Sequence, residues 1–178
     1  MITTTTKRFL RVLALVGVVF WRNKRIRKVA FIPGVIMLIG FLVPQHMVIP
    51  VKGATTADWN EKSFWAYPWG SSITHKGIDI FKKKGTPITS STQGIVVYTH
   101  EGGKGGKSVM ILGPKWLFHY YAHLKEVKAF TFKPVKPGTI IGTVGTSGNA
   151  VGKPPHLHYA ITTPFPYVHL YDGEGVHG

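Results

Sequence analysis

The sequence predicts a mainly β domain of antiparallel sheet preceded by an N-terminal transmembrane helix, and three observations carry that expectation. From Gly85 onward, short runs rich in β-branched and aromatic residues alternate with Gly- and Pro-containing turns, the pattern of an all-β domain. Residues 29–50 form an apolar run broken only by Gln45 and His46, about as long as a helix that crosses a bilayer. The chain has no cysteine, so the domain must be held by burial, and its 44% hydrophobic content is compatible with a packed core.

Residues 1–28 carry eight Lys and Arg and no acid. The block Arg22 to Lys28 abuts the apolar run directly, a flank that an ordinary buried core helix does not need. Lysine and arginine stay on the cytoplasmic side, so residues 29–50 read as a single-pass signal anchor of the cytoplasmic membrane, with the N-terminus inside and everything after Pro50 periplasmic or extracellular. The competing readings are a core helix and a cleaved signal peptide. The latter is disfavoured because 28 residues are long for an n-region and no clear A-x-A site follows. Phe9 to Trp21 is short and carries Arg11, which fits an interfacial helix on the inner leaflet.

Residues 51–69 read as a linker, 70–170 as the folded domain and 171–178 as a tail. Beyond residue 28, fourteen lysines against seven acids leave +7 of the formal +15, and there is no arginine. Arginine is the residue suited to bidentate phosphate and base-edge contacts, so a nucleic-acid partner is not expected. Dispersed lysine fits long-range attraction to a polyanionic matrix, or an ordinary solvated surface.

Within the domain, Gly94 to Thr99 and Ser108 to Leu112 are β-rich runs flanking the hairpin loop Glu101 to Lys107. That glycine-rich loop lacks Walker spacing and no helical pattern follows it. Trp116 to His123 is the next strand, whose alternation puts Leu117, His119, Tyr121 and His123 on one face. His119 is therefore a rival to His123 for any role in a site. Pro134 to Gly138 is a turn, Thr139 to Val144 a strand, and Gly145 to Pro155 a turn-rich entry into the strand at His156. Trp65, Tyr67 and Trp69 either pack beneath a site or face a substrate, and His169 and His177 read as surface residues.

The chemistry centres on His156-Leu157-His158. In an extended strand an H-x-H triplet puts both imidazoles on one face, a start on a metal site. Without thiolates, zinc takes imidazole and carboxylate, and a catalytic zinc keeps three protein ligands and one open position. His75 and Asp79, in Ile73-Thr-His-Lys-Gly-Ile-Asp-Ile80, and His123 are the company the triplet needs. Spacing alone does not say which histidine of the triplet is the ligand.

The order His-x3-Asp, then Tyr-Ala-His-Leu, then Gly-x2-Pro-His-Leu-His-Tyr resembles the lysostaphin-type (LytM-type) zinc endopeptidases that cut peptide bonds in peptidoglycan, over roughly residues 73–162. The resemblance implies an antiparallel β domain with an open groove, a duplicated hybrid motif of LytM type, and one Zn2+ held by His75, Asp79 and His158. It makes His123 and His156 the catalytic histidines beside a metal-activated water, with Asn149 and Tyr121 as substrate-binding residues. The implied partner is peptidoglycan, whose cross-links or stem peptides would be cut, and the anchor reading adds the cytoplasmic membrane. Where the family often has an aromatic and then a glutamate after the triplet, this chain has Tyr159 and Ala160. The alternative function is a non-catalytic wall-binding protein or hydrolase activator on the same scaffold.

Overall fold

The computed structural model describes residues 24–69 and 74–164. The expected interfacial helix Phe9 to Trp21, most of the basic segment, the tail 171–178, His169 and His177 lie outside the described residues. Two compact units divide at residues 42 and 43. The first contains helix α1, Lys24–Leu42, with Pro33 inside it. The expected span over 29–50 is not the element that forms: the helix ends at Leu42, so its uncharged part is Val29 to Leu42, too short at about 1.5 Å per residue to cover a hydrocarbon core. Among the described residues no helix is long and apolar enough to cross a membrane.

The chain from Val43 onward belongs to the second unit. Val48 N–H donates to the Ser91 carbonyl at 2.9 Å, Thr89 N–H to Pro50 at 2.8 Å, and Lys52 N–H to Pro87 at 3.0 Å. Val51 is 1% exposed and sits in the core cluster, with Ala54 and Trp59 packed against it. Residues 51–69, expected as a linker, are thus partly built into the domain, carrying the short 3-10 turns Thr56–Asp58 and Glu61–Ser63. Apolar side chains spaced without periodicity gave no sign of this.

Among the described residues the domain is one antiparallel sheet of eight strands: β1 Ile78–Phe81, β2 Pro87–Thr89, β3 Gly94–Gly102, β4 Gly106–Leu112, β5 Phe118–Val127, β6 Pro134–Val135, β7 Ile140–Val144 and β8 His156–Thr162. The order is β1-β8-β5-β4-β3-β6, and β7 pairs with both β5 and β2. Ile80, Ile88, Val96, Ile111, Leu124, Ile141 and Leu157 are fully buried and form the core. Each such side chain contributes roughly 1.5–3 kcal/mol by leaving water, which is how a chain without disulfides holds together.

Strand register sets the positions of the polar side chains. Asp79 on β1 lies opposite His158 on β8, and His158 lies opposite Ala122 on β5, so three neighbouring strands meet at one level. On β5 the pairing with β4 slips between Tyr121 and Leu124, two residues facing one, which makes a bulge. His123 sits in it at φ 65°, a conformation a non-glycine residue rarely takes.

Candidate metal and peptidase site

The bulge decides which histidines meet. Regular alternation puts His119 and Tyr121 on one side, and both are fully buried in the core. The positive φ at His123 breaks that alternation and turns its ring to the face of Tyr120 and Ala122, which line an open groove of about 820 Å3. The expectation that His119 shares a face with His123 is therefore overturned. His119 is held in the core by Tyr159 Oη at 2.7 Å and by Ser91 Oγ at 3.3 Å. Tyr121 is likewise corrected: its hydroxyl lies 2.8 Å from Ser91 Oγ beneath the groove, so it has no surface for a substrate. Asn149 does line the groove.

His75, Asp79, His123, His156 and His158 all line that groove. His75 Nε2 lies 3.1 Å from Asp79 Oδ1 and 3.1 Å from His158 Nδ1, and His158 Nδ1 lies 2.8 Å from Asp79 Oδ1. His75 Nδ1 donates to the Ser63 carbonyl at 2.7 Å, and a carbonyl only accepts. In the neutral ring, Nε2 then presents a lone pair to the triangle. One proton serves one edge of such a triangle, whereas a cation satisfies all three atoms. Ligand atoms at zinc bond lengths on tetrahedral corners lie about 3.3 Å apart, close to the spacing here. The donor set therefore fits a zinc ion.

The two other imidazoles are oriented by the same device. His123 Nδ1 donates to the Ser147 carbonyl at 2.9 Å and His156 Nδ1 to the Pro154 carbonyl at 2.7 Å, so both rings keep Nε2 free as an acceptor when neutral. Their ring centroids are 5.0 Å apart, and His156 Nε2 is 3.9 Å from Asp79 Oδ2. Burial would raise the Asp79 carboxyl, but hydrogen bonds from His158 and His75 hold it well below the usual carboxylate range. Burial pulls the His75 imidazole down, and its bonds to Asp79 and Ser63 more than reverse that. Burial, with the neighbouring His156, pushes His123 down to about 4.

Several groups support the site, and among them Trp69 stands where the sequence expected it, beside the site. Trp69 stacks on His75 with centroids 4.3 Å apart and planes 18° apart, and it lines the groove. Gly77 passes under His158, where a Cβ would stand 2.6 Å from the Tyr159 carbonyl and 3.0 Å from His158 Nε2. The loop at Ser147 interlocks with the β3–β4 turn: Ser147 Oγ accepts from Lys107 N–H at 2.9 Å, and Asn149 N–H donates to Lys104 O at 2.9 Å. His123 N–H donates to Gly105 O at 2.9 Å, so both loops grip the strained residue. The signal available in the sequence was the density of glycine on both sides of the interlock.

The cluster of His75 ahead of β1, Asp79 on β1 and His158 on β8, and the order of these residues along the chain, agree with the family to which the sequence is similar. The model of peptidase family M23 matches residues 73–170, more than half of the chain. The chain belongs to this family. Within it, an L-Ala–D-Glu endopeptidase of Bacillus subtilis is 37% identical over 115 residues, which is 58% of this chain and 35% of that protein. The catalytic domain of the antimicrobial peptidase lysostaphin from Staphylococcus simulans aligns with a TM-score of 0.53 and 28% identity, covering 58% of this chain and 79% of that domain. A zinc-containing peptidase from Vibrio cholerae aligns with a TM-score of 0.52 and 27% identity over 63% of this chain and 35% of that one. The chain thus matches about a third of its curated Bacillus relative. The fold is that of the M23 peptidases, an antiparallel β domain.

Proposed function

We propose that this M23 peptidase is a zinc-dependent endopeptidase that cuts peptide cross-links or stem peptides of bacterial peptidoglycan. The observation that carries the proposal is the triangle of His75, Asp79 and His158 donor atoms, with the acceptor nitrogens of His123 and His156 directed to the same groove. His75, Asp79 and His158 would hold the metal. When bound, zinc supplies Lewis acidity, polarising a scissile carbonyl and making water available as a nucleophile near neutral pH.

The chain's own residues supply the rest. In this reading a peptide lies in the groove beside the Ser147 to Ala150 loop, where Asn149, which lines it, contacts the peptide. His123 and His156 are each fixed through Nδ1: one of the two accepts the water's proton at Nε2, and the other donates a hydrogen bond to the developing oxyanion and helps the amine leave. The B. subtilis relative named for an L-Ala–D-Glu bond supports a stem peptide as one target.

The location follows the substrate. We place the domain on the outer side of the cytoplasmic membrane, because that is where peptidoglycan lies. Protease accessibility of the domain in spheroplasts tests it. Mass spectrometry of products from peptidoglycans of defined cross-link type, with and without a chelator, tests the activity. Chelator-sensitive release of peptides is expected, and intact peptides at every cross-link type would leave a wall-binding role in its place.

A further inference from the structure

After β5 the chain makes a tight turn, Phe130-Thr-Phe-Lys133, closed by the Lys133 N–H donating to the Phe130 carbonyl at 3.1 Å. Phe132 takes the third position at φ 69°, where type II turns use glycine or asparagine because a β-carbon crowds the backbone. Phe132 N–H donates to Val96 O at 2.7 Å and Val96 N–H to Lys133 O at 3.0 Å, so the turn is pinned to β3. Val127 and Ala129 pack against the core, and Val135 is part of it. The two phenylalanines do not share in that packing: Phe130 is 66% exposed and Phe132 is 80% exposed. A bulky apolar side chain is thus held in a strained backbone position and directed into water. Neither choice helps the fold, which makes a use in binding the economical explanation.

The charges around the turn say what it meets. Residues 125–136 contain Lys125, Lys128, Lys133 and Lys136 against one acid, Glu126, which lies 3.8 Å from both Lys125 and Lys128. Lys133 Nζ stands 5.8 Å from the Phe130 ring centroid, so cation and ring share one tip. We propose that this turn docks on an anionic bilayer surface, with Phe130 and Phe132 entering the boundary between headgroups and acyl chains while Lys128, Lys133 and Lys136 meet lipid phosphates. A soluble polyanion would satisfy the lysines but offers no apolar phase for the two rings. A bilayer interface offers both. The inference is independent of the catalytic reading, because none of these residues lines the groove.

The test uses the whole chain, which has no cysteine of its own, so Thr131→Cys gives a single labelling site at the tip. With an environment-sensitive fluorophore there, vesicles of phosphatidylcholine mixed with phosphatidylglycerol should shift emission to the blue. Brominated lipid should quench it, and salt should weaken the effect. The label reports on the turn alone, so attachment through other parts of the chain gives no signal. Phe132→Gly combined with Phe130→Ser should abolish the shift, and Phe132→Gly alone should leave the melting temperature unchanged or higher. A label that stays accessible to iodide on anionic vesicles overturns the proposal, and leaves a protein surface as the occupant. An equal shift on phosphatidylcholine alone, or a Phe132→Gly variant that melts lower, overturns it too.

Discussion

His123 Nδ1 donates to the Ser147 carbonyl at 2.9 Å while the Ser147 hydroxyl accepts from Lys107 N–H at 2.9 Å, so one serine ties the strained histidine of β5 to the start of β4. Because the carbonyl fixes the tautomer, the ring presents its other nitrogen to the groove. The strain at φ 65° is maintained by contacts on both sides, as expected where a backbone outlier serves a site.

From that arrangement, His123→Ala should lose hydrolysis by about 10^2-fold or more while zinc stays bound, the size of effect typical for a general acid or base. His75→Ala and Asp79→Ala should lose zinc and hydrolysis together. Metal content by mass spectrometry beside a peptidoglycan digestion assay separates the two. Full activity in His75→Ala or Asp79→Ala would show that the ligand assignment is wrong.

Gly148 makes the interlock possible. It sits at φ 67°, and a Cβ there would stand 2.3 Å from Lys104 O and 2.4 Å from Gly106 N. Gly148→Ala should destabilise the domain by about 2–4 kcal/mol, combining left-handed strain with overpacking against backbone that has nowhere to go. It should also lower turnover in the fraction that remains folded, since the loop that orients His123 is displaced. Chemical denaturation and activity per folded molecule measure the two effects.

Gly77 tests the metal cradle from behind. Its added Cβ in Gly77→Ala would press on the Tyr159 carbonyl and on the His158 ring. Zinc affinity should fall by about 10–100-fold, as when groups that orient a ligand are altered. Competition with a chromogenic chelator reads this directly, and an unchanged affinity would mean that His158 does not need its present orientation.

His119 predicts an acid-sensitive fold. Burial lowers its imidazole from the ordinary 6.5 to about 4, among the hydroxyls of Ser91 and Tyr159 and the Gln45 amide 3.3 Å from Nε2. Between those two values the unfolded chain binds the proton and the folded one does not, so stability is complete above pH 6.5 and declines as pH falls toward 4. The loss is about 3 kcal/mol over that window. His119→Gln should flatten this part of the stability profile relative to the parent, measured by denaturation at each pH.

The sheet was legible because strand alternation is a local pattern, whereas the grouping of His75, Asp79, His123, His156 and His158 was legible only through the order of motifs that resembles the family. What they could not convey is a two-against-one slip in pairing. His119 and His123 look equivalent by parity, and only the bulge sends one into the core and the other to the groove. Tyr121 was misplaced for the same reason. The apolar run at 29–50 was misjudged because its second half looks alike whether it continues a helix or lies against a sheet. Hydrogen bonds at Val48 and Pro50 favour the sheet. Ser63 and Gly77 act through contacts with His75 and His158 that no local pattern in the sequence encodes.

Val51 gives the folded unit a core residue ahead of the family motifs. Its side chain fills the core beside Ile88, and its neighbours cover the backbone of β2. A version of the protein shortened to the stretch that carries the family motifs would start with a hole and a bare strand edge, and would be expected to precipitate or invite a second molecule to supply the missing strand. Anyone preparing the enzyme in isolation should therefore begin upstream of Val48.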